Sequence, residues 1–209
     1  CRIAAIKSGA SESGARAASS HTGAMMSSDS AVEALFRKAG IVRCYSREEL
    51  TTVGCIWEAS PEPSDEGKTI NFAIVTHAGG PGVMLTDALA KGGLNVPSLE
   101  GEIANELKSQ LFPGSSVSNP IDILATGTPE QLGIAIDYCE KRFENIDAIM
   151  VIFGTPGLVK LYEAYDVLHK KILECSKPIF PILPCLHTAG PEVAEFLGKG
   201  HVNFSDEVT

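Results

Sequence analysis

Apolar positions along the chain follow two alternating rhythms. Short, nearly continuous apolar runs recur at RIAAI (2–6), IVRCY (41–45), the stretch from Ile70 to Thr76, SNPIDIL (118–124), DAIMVIF (147–153) and PIFPIL (178–183). Such runs read as strands, and those without polar alternation as strands covered on both faces. Between them the apolar spacing is helical. DSAVEALFRKA (29–39) puts Val32, Leu35 and Phe36 on one face, and Gly40 stops it. SREEL opens another helix, with Ser46 and Glu49 in capping-box spacing, that runs to about Ala59. Further helices are predicted from about Gly82 to Lys91, over 100–111, over 128–143 with Thr128 as cap and Pro129 at the first helical position, over 158–175, and from near Pro191. HVNF (201–204) closes as a short strand. Alternation of this kind predicts an α/β fold, a parallel sheet flanked by helices on both faces.

Two stretches interrupt the rhythm. PEPSDEGK (61–68) carries two prolines, a glycine and mixed charge, and predicts a linker. It divides the chain into 1–60, the C-terminal portion of a first α/β domain, and 69–209, a second one. Residues 8–28 are rich in Gly, Ser and Ala, with little to anchor them in a core, and read as a tether.

Composition narrows the classes. A chain of 209 residues holds one large or two small domains, and 44% apolar with 21% charged residues is ordinary for a globular protein. No apolar run reaches the roughly 18 residues of a membrane helix. A net charge of −9 argues against a nucleic-acid partner, because phosphate backbones are held by Lys and Arg. The six cysteines form no CxxC pair, so reduced, mostly buried thiols of a cytosolic protein are expected. No Cys/His cluster has metal-ligand spacing, so no metal site is expected. The first residue is Cys1, inside a strand-like segment and with no signal peptide in view, so a piece of a longer protein is expected.

Candidate chemistry lies in the loops that leave strand ends. In THAGGPGVM, Gly79, Gly80, Pro81, Gly82 and Val83 lead from a strand into a helix. Absent side chains let backbone N–H groups approach an anion, and the helix adds its positive end. The spacing is neither GxGxxG nor GxxxxGK[ST], so a direct nucleotide P-loop is disfavoured. A tight turn without ligand remains the alternative. His77 in the same loop either meets a bound phosphate or merely ends the strand. Asn119 and Asp122 in SNPIDIL either orient a loop or bound group, or bond their own backbone in a turn. His21 stands apart, with Ser20, Thr22 and Gly23 as small neighbours that leave the ring accessible. An unprotonated imidazole is a competent nucleophile toward phosphorus near neutral pH. His169 beside Lys170 and Lys171 reads as solvated, and His187 and His201 as structural.

The succession KSGASESGARAASSHTGAMMSSDSA, VTHAGGPGVMLTDAL, NPIDIL resembles the ADP-forming (NDP-forming) acyl-CoA synthetases, or acetate–CoA ligases, relatives of succinyl-CoA synthetase. The resemblance spans nearly the whole chain. It implies two flavodoxin-like, succinyl-CoA synthetase-type domains of an α subunit or α-like half. It implies the reaction acyl-CoA + phosphate + ADP ⇌ acid + CoA + ATP. His21 matches the histidine that the family transiently phosphorylates, and Gly79, Gly80, Pro81 and Gly82 match the loop that holds that phosphate.

The same resemblance implies no tightly bound cofactor. CoA, ADP or ATP, phosphate and Mg²⁺ enter as substrates of the complete enzyme. It implies a nucleotide-grasping (ATP-grasp) domain or β subunit as partner, an N-terminal CoA-binding domain outside this chain, a small acid or acyl-CoA substrate, an oligomer, and a cytoplasmic location. The family's usual loop has Asn where His77 stands. A different class of function, a ligand-sensing module such as those fused to acetyltransferase domains, uses the same domains without turnover. A flavin-binding reading is disfavoured, since the glycine loop lacks a Ser/Thr-rich phosphate run.

Overall fold

The computed structural model describes residues 1–22, 28–60, 69–154, 161–186, 188 and 190–207, and of residues 20–22 the backbone alone. The predicted linker 61–68, Gly23, His187 and the start of the helix expected over 158–175 lie outside the described residues. The chain separates into two compact units, Cys1–Glu58 and Ala59–Thr209.

The first unit contains β1 (Ile3–Ile6), α1 (Glu12–Thr22), α2 (Asp29–Ala39), β2 (Ile41–Cys44) and α3, which begins at Arg47 and runs to Ala59. The two strands pair in parallel, Ile3 opposite Ile41 and Ile6 opposite Cys44. The expected tether is corrected over much of its length, because residues 12–22 form a helix. The sequence ESGARAASSHT carries good helix formers, the Ser11 hydroxyl accepts the Gly14 N–H at 3.1 Å, and Arg16 reaches Glu12 one turn back at 2.9 Å. Low apolar content had suggested a loop, but alanine helices need few apolar residues. Gly40 ends α2 in the left-handed region, at φ 67°. At α3, the Glu49 N–H donates to the Ser46 hydroxyl at 3.0 Å, and the Glu49 carboxylate accepts from Tyr45 N–H, one residue earlier than a capping box would have it.

Little apolar surface is buried in this unit. Neither α2 nor α3 holds a buried side chain, and Cys44 is the buried apolar residue of the strands. Its organising feature is ionic. Arg43, 7% exposed, donates to Asp29 at 2.7 Å and to Glu33 at 2.9 Å, and Lys7 reaches Asp29 at 3.1 Å. The network fastens both strands to the first turns of α2. The hydrogen bonds from Arg43, then from Lys7, hold the Asp29 carboxyl below its ordinary range, and Arg43 does the same for Glu33.

The second unit contains β3 (Phe72–Thr76), α4 (Gly79–Lys91), α5 (Gly101–Gln110), β4 (Ile121–Asp122), α6 (Pro129–Lys141), β5 (Ala148–Ile152), α7 (Leu161–Glu174), β6 (Ile179–Ile182) and α8 (Pro191–Gly198). The strands form one parallel sheet in the order β4-β3-β5-β6. Alternate residues of β3 serve two cores. Ala73 and Val75 face Leu132, Ile136 and Leu168, while Phe72 and Ile74 face Leu85, Leu89 and Phe180. Thr128 and Gln131 make the complete capping box at α6, with Pro129 at its start.

Four expectations are adjusted. Helix α4 begins at Gly79, so the glycines are its first turn and not a loop before it. The strand expected over 118–124 shrinks to two residues. HVNF contributes one bridge, Phe204 to Ile182, and no strand. Of the six cysteines only Cys44 and Cys139 are buried, and burial pushes the Cys139 thiol up to about 12.

Asn119 explains the short strand. At φ 68° it turns the chain away from β3, yet its side chain stays on the sheet edge. Its Oδ1 accepts the Ile74 N–H at 2.9 Å, and its Nδ2 donates to the carbonyls of Phe72 and Pro97, each at 2.9 Å. One amide thus does the hydrogen bonding of the missing strand residues. Asn119→Ala should lower unfolding stability by about 2–4 kcal/mol, since a half-buried N–H and two carbonyls lose their partner. Asn119→Asp, which keeps only the acceptor, should be as damaging. Urea denaturation of the three proteins measures this, and a loss below about 0.5 kcal/mol for the alanine variant would rule out the latch.

Candidate functional site

The carboxyl end of β3 runs straight into α4. The Thr76 hydroxyl accepts the Ala78 N–H at 3.0 Å and donates to the Ala78 carbonyl at 2.8 Å, closing the turn on itself. Ala78 is the N-cap residue and has no side chain able to cap. The first-turn amides of a helix have no intrahelical acceptor. Here Ala78 is satisfied by Thr76, Pro81 has no N–H, and Gly82 donates to the Ala78 carbonyl at 3.4 Å. Among the described residues, the N–H groups of Gly79 and Gly80, both exposed, are left without an acceptor at the positive end of the helix. Two amides so placed can donate to an anion. Val83, one turn in, is 59% exposed and lies beyond these first-turn donors.

The glycines are not equivalent. A Cβ on Gly80 would meet nothing within 4 Å. One on Gly82 would lie 3.1 Å from Thr76 Cγ2 and 3.4 Å from Pro120 Cβ. Gly82 therefore lets the helix start seat against the end of β3 and the turn before β4. A Cβ on Gly79 would approach Asp122 Oδ2 to 3.2 Å. The Asp122 carboxylate thus stands beside the open helix end, while its Oδ1 accepts the Leu124 N–H at 2.8 Å. A carboxylate there interacts favourably with the helix dipole and competes with an incoming anion for the same field.

His77 is 8% exposed and leans the other way, toward β5. Its Nδ1 lies 3.3 Å from the Ile152 carbonyl, its ring centroid is 4.8 Å from that of Phe153, and Gly154 adjoins its edge. A carbonyl only accepts, so Nδ1 carries the proton and a neutral ring leaves Nε2 as an acceptor. Burial lowers the pKa of His77, opposed by the Ile152 carbonyl and by the charge of Asp122.

His77, Gly79, Gly80, Pro81, Gly82, Val83 and Asp122 therefore share the carboxyl end of this sheet. Asn119 does not join them, since its amide is spent along β3 toward the amino end. Ser20, His21 and Thr22 are the last three residues of α1 in the first unit. His169 is not simply solvated, because its Nδ1 hydrogen-bonds His201 Nε2, whose ring stacks on Phe196 with centroids 4.6 Å apart. Sequence reasoning missed Thr76 as the turn's own cap. A Thr at the end of an apolar strand, two residues before a helix start, was the available signal.

Residues 1–56 match the model of the succinyl-CoA ligase like flavodoxin domain, and residues 72–154 that of the ligase-CoA domain. Over 189 residues the chain is 38% identical to acetate–CoA ligase (ADP-forming) II subunit alpha of Pyrococcus furiosus, an alignment covering 86% of this chain and 39% of that protein. Over 173 residues it is 35% identical to acetate–CoA ligase (ADP-forming) I of Archaeoglobus fulgidus, covering 83% of this chain and 24% of that one. Among solved structures, dinucleotide forming acetyl-coenzyme A synthetase 1 of Ca. Korarchaeum cryptofilum, in complex with phosphate and ADP, superposes with a TM-score of 0.83 at 28% identity, covering 99% of this chain and 44% of that one. The chain thus spans less than half the length of each of these relatives.

Two measurements test this geometry. Gly82→Ala should cost about 1–3 kcal/mol, because the helix must move off Thr76 and Pro120, whereas Gly80→Ala should be neutral or gain up to about 1 kcal/mol. Equal effects at the two positions would show that close approach does not single out Gly82. The second test concerns pH. The unfolded chain protonates His77 near 6.5 and the folded chain resists it, so this residue makes stability fall as pH drops below about 6.5. His201, lowered by burial and by the charges of His169 and Lys199, acts in the same direction. Thermal melts of His77→Asn between pH 7 and 5 should show a shallower decline than the parent, and parallel declines would contradict the assignment.

Proposed function

We propose, for a chain that belongs to the family of ADP-forming acyl-CoA synthetases, that it is the phosphohistidine-bearing part of a complete enzyme interconverting acyl-CoA + phosphate + ADP and acid + CoA + ATP. The observation that carries this is the open first turn of α4, where Gly79 and Gly80 offer two amides and no side chain obstructs Gly80. A doubly charged phosphoryl group is the natural occupant of such a helix end.

In the complete enzyme, phosphate attacks the acyl-CoA carbonyl and expels the CoA thiolate, leaving an acyl phosphate. A ring nitrogen of His21 then attacks phosphorus, the bond to the acyl oxygen breaks, and the acid leaves as its carboxylate. An oxygen of the ADP β-phosphate attacks the phosphohistidine, ATP forms, and the imidazole is free again. The Gly79 and Gly80 amides stabilise the phosphoryl oxygens as charge develops on them. Asp122 beside the cradle disfavours an anion that lacks a partner, which assists release. CoA, the nucleotide with its Mg²⁺, and the acid bind chiefly to parts beyond this chain, a CoA-binding domain and an ATP-grasp domain or β subunit. The enzyme works in the cytoplasm as an oligomer.

The test uses the complete parent protein, with its nucleotide-binding partner if separate, and γ-phosphate-labelled ATP with Mg²⁺. Acid-labile, base-stable label should appear on the protein and vanish in His21→Ala, together with acid- and CoA-dependent ADP formation. A preparation that binds ATP but takes no label, or a His21→Ala protein labelled like the parent, would overturn the assignment and favour the ligand-sensing reading.

A further inference from the structure

The sheet of the second unit divides at His77. From β3 the chain passes through α4 and α5 to β4 on one side, and from β5 through α7 to β6 on the other. In parallel sheets the crevice where ligands bind opens between two strands whose connections diverge in this way. Here those strands are β3 and β5, paired from Phe72 with Ala148 to Thr76 with Ile152. His77 is the residue that follows β3, and its ring reaches across to β5. Its Nδ1 bonds the Ile152 carbonyl, and its Cε1–Nε2 edge faces Gly154, where a Cβ would lie 3.5 Å from Cε1 and 3.8 Å from Nε2.

Two features of this placement bear on charge. First, Nδ1 is committed to Ile152, while Nε2 forms no hydrogen bond among the described residues. A second proton can therefore enter at Nε2 without breaking the bond that holds the ring. Second, His77 and Gly79 are two residues apart, so their Cα atoms lie within about 7.6 Å of each other. That is inside the Debye length of about 10 Å at 0.1 M salt, so a charge on the ring is felt at the first amides of α4. Few ionisable groups surround the ring. Asp122, at the end of β4, is the charge that acts on it, and the same carboxylate stands beside Gly79. From β5 come Ile152, Phe153 and Gly154, none of them ionisable. Behind Phe153 lies Tyr165 of α7, whose hydroxyl donates to the Phe153 carbonyl at 3.2 Å and is kept neutral by burial. Helix α4 carries no ionisable side chain before Asp87, and the chain after β6 brings Pro184 against Gly154, with the Cys185 thiol next in sequence.

We propose that His77 is a proton-operated gate on oxyanion binding at the first turn of α4. With the ring neutral, the Asp122 carboxylate opposes an anion at Gly79 and Gly80. With the ring protonated at Nε2, the imidazolium offsets Asp122 and the anion is held more tightly. Burial opposes protonation, so without an anion the charge appears only below about pH 6.5. Binding an oxyanion in a mildly acidic medium therefore takes up a proton. The inference rests on the α4 turn being the phosphoryl site of the proposed enzyme, and it adds that this site tightens as its surroundings turn acid.

Sulfate is the probe, because its own charge is constant between pH 7 and 5. It is titrated into the full chain at constant ionic strength set with chloride and followed by the amide NMR shifts of Gly79 and Gly80. Its affinity should rise about tenfold from pH 7 to pH 5, the size expected of one added charge at this range. His77→Asn, whose side-chain N–H can still donate to the Ile152 carbonyl, should match the parent at pH 7 and gain less than about twofold on acidification. Linkage is reciprocal, so saturating sulfate should raise the titration midpoint of the His77 ring, read from its Cε1 proton, by about one pH unit. Asp122→Asn should bind sulfate more tightly at pH 7 and keep the rise. An equal rise in parent and His77→Asn, a rise lost in Asp122→Asn, or a ring midpoint indifferent to sulfate would overturn the gate and leave the α4 site standing. No saturable shift at Gly79 and Gly80 at either pH would remove the α4 site, and the gate with it.

Discussion

A strand buried on both faces can offer its polar chemistry only at its ends. β3 is such a strand, with all five residues buried. Its interior side chains are committed to two cores, so the polar chemistry that β3 itself can offer is offered where Thr76 gives way to Ala78. The sheet order reinforces this. β4 and β5 flank β3, so Asp122 arrives on one side of that end and Ile152, Phe153 and Gly154 on the other. The first turn of α4 lies at that end of β3, and its position follows from the need to seat Gly82 on Thr76 and Pro120.

Much of this was legible in the sequence. Apolar runs with β-branched residues, such as FAIVT and AIMVI, announced covered strands, and Thr128-Pro129 with Gln131 announced a helix start that forms as expected. The GGPG stretch announced a glycine-rich helix start after β3, and the first turn of α4 begins there, at Gly79. What the sequence hid depended on long-range geometry. Nothing local to SNPIDIL says that the Asn119 amide reaches the backbone of a strand 45 residues earlier. ESGARAASSHT looked like a loop because helices are usually recognised by an apolar stripe, which this one lacks. The His169–His201 bond joins residues 32 apart, beyond any pattern of spacing.

SNPIDIL also shows how one short turn divides its labour. Asn119 finishes the edge of the sheet and Pro120 supplies the wall against which Gly82 packs. Asp122 then places a carboxylate beside the helix end. The positions that build the cradle and the position that sets its charge are thus neighbours in one turn, so structural and electrostatic changes there are coupled through a shared backbone.

The Arg43 network gives the first unit a different physical character from the second. Where β1 and β2 lean on ion pairs with Asp29 and Glu33, the sheet of the second unit leans on apolar layers. Dissolved ions screen charge pairs, and strongly hydrated salts such as sulfate strengthen the exclusion of apolar surface from water. One polypeptide therefore carries two halves with opposite responses to the saltiness of their surroundings. A sulfate-rich solution would loosen the ion-paired half that carries His21 while tightening the apolar half that carries Gly79 and Gly80.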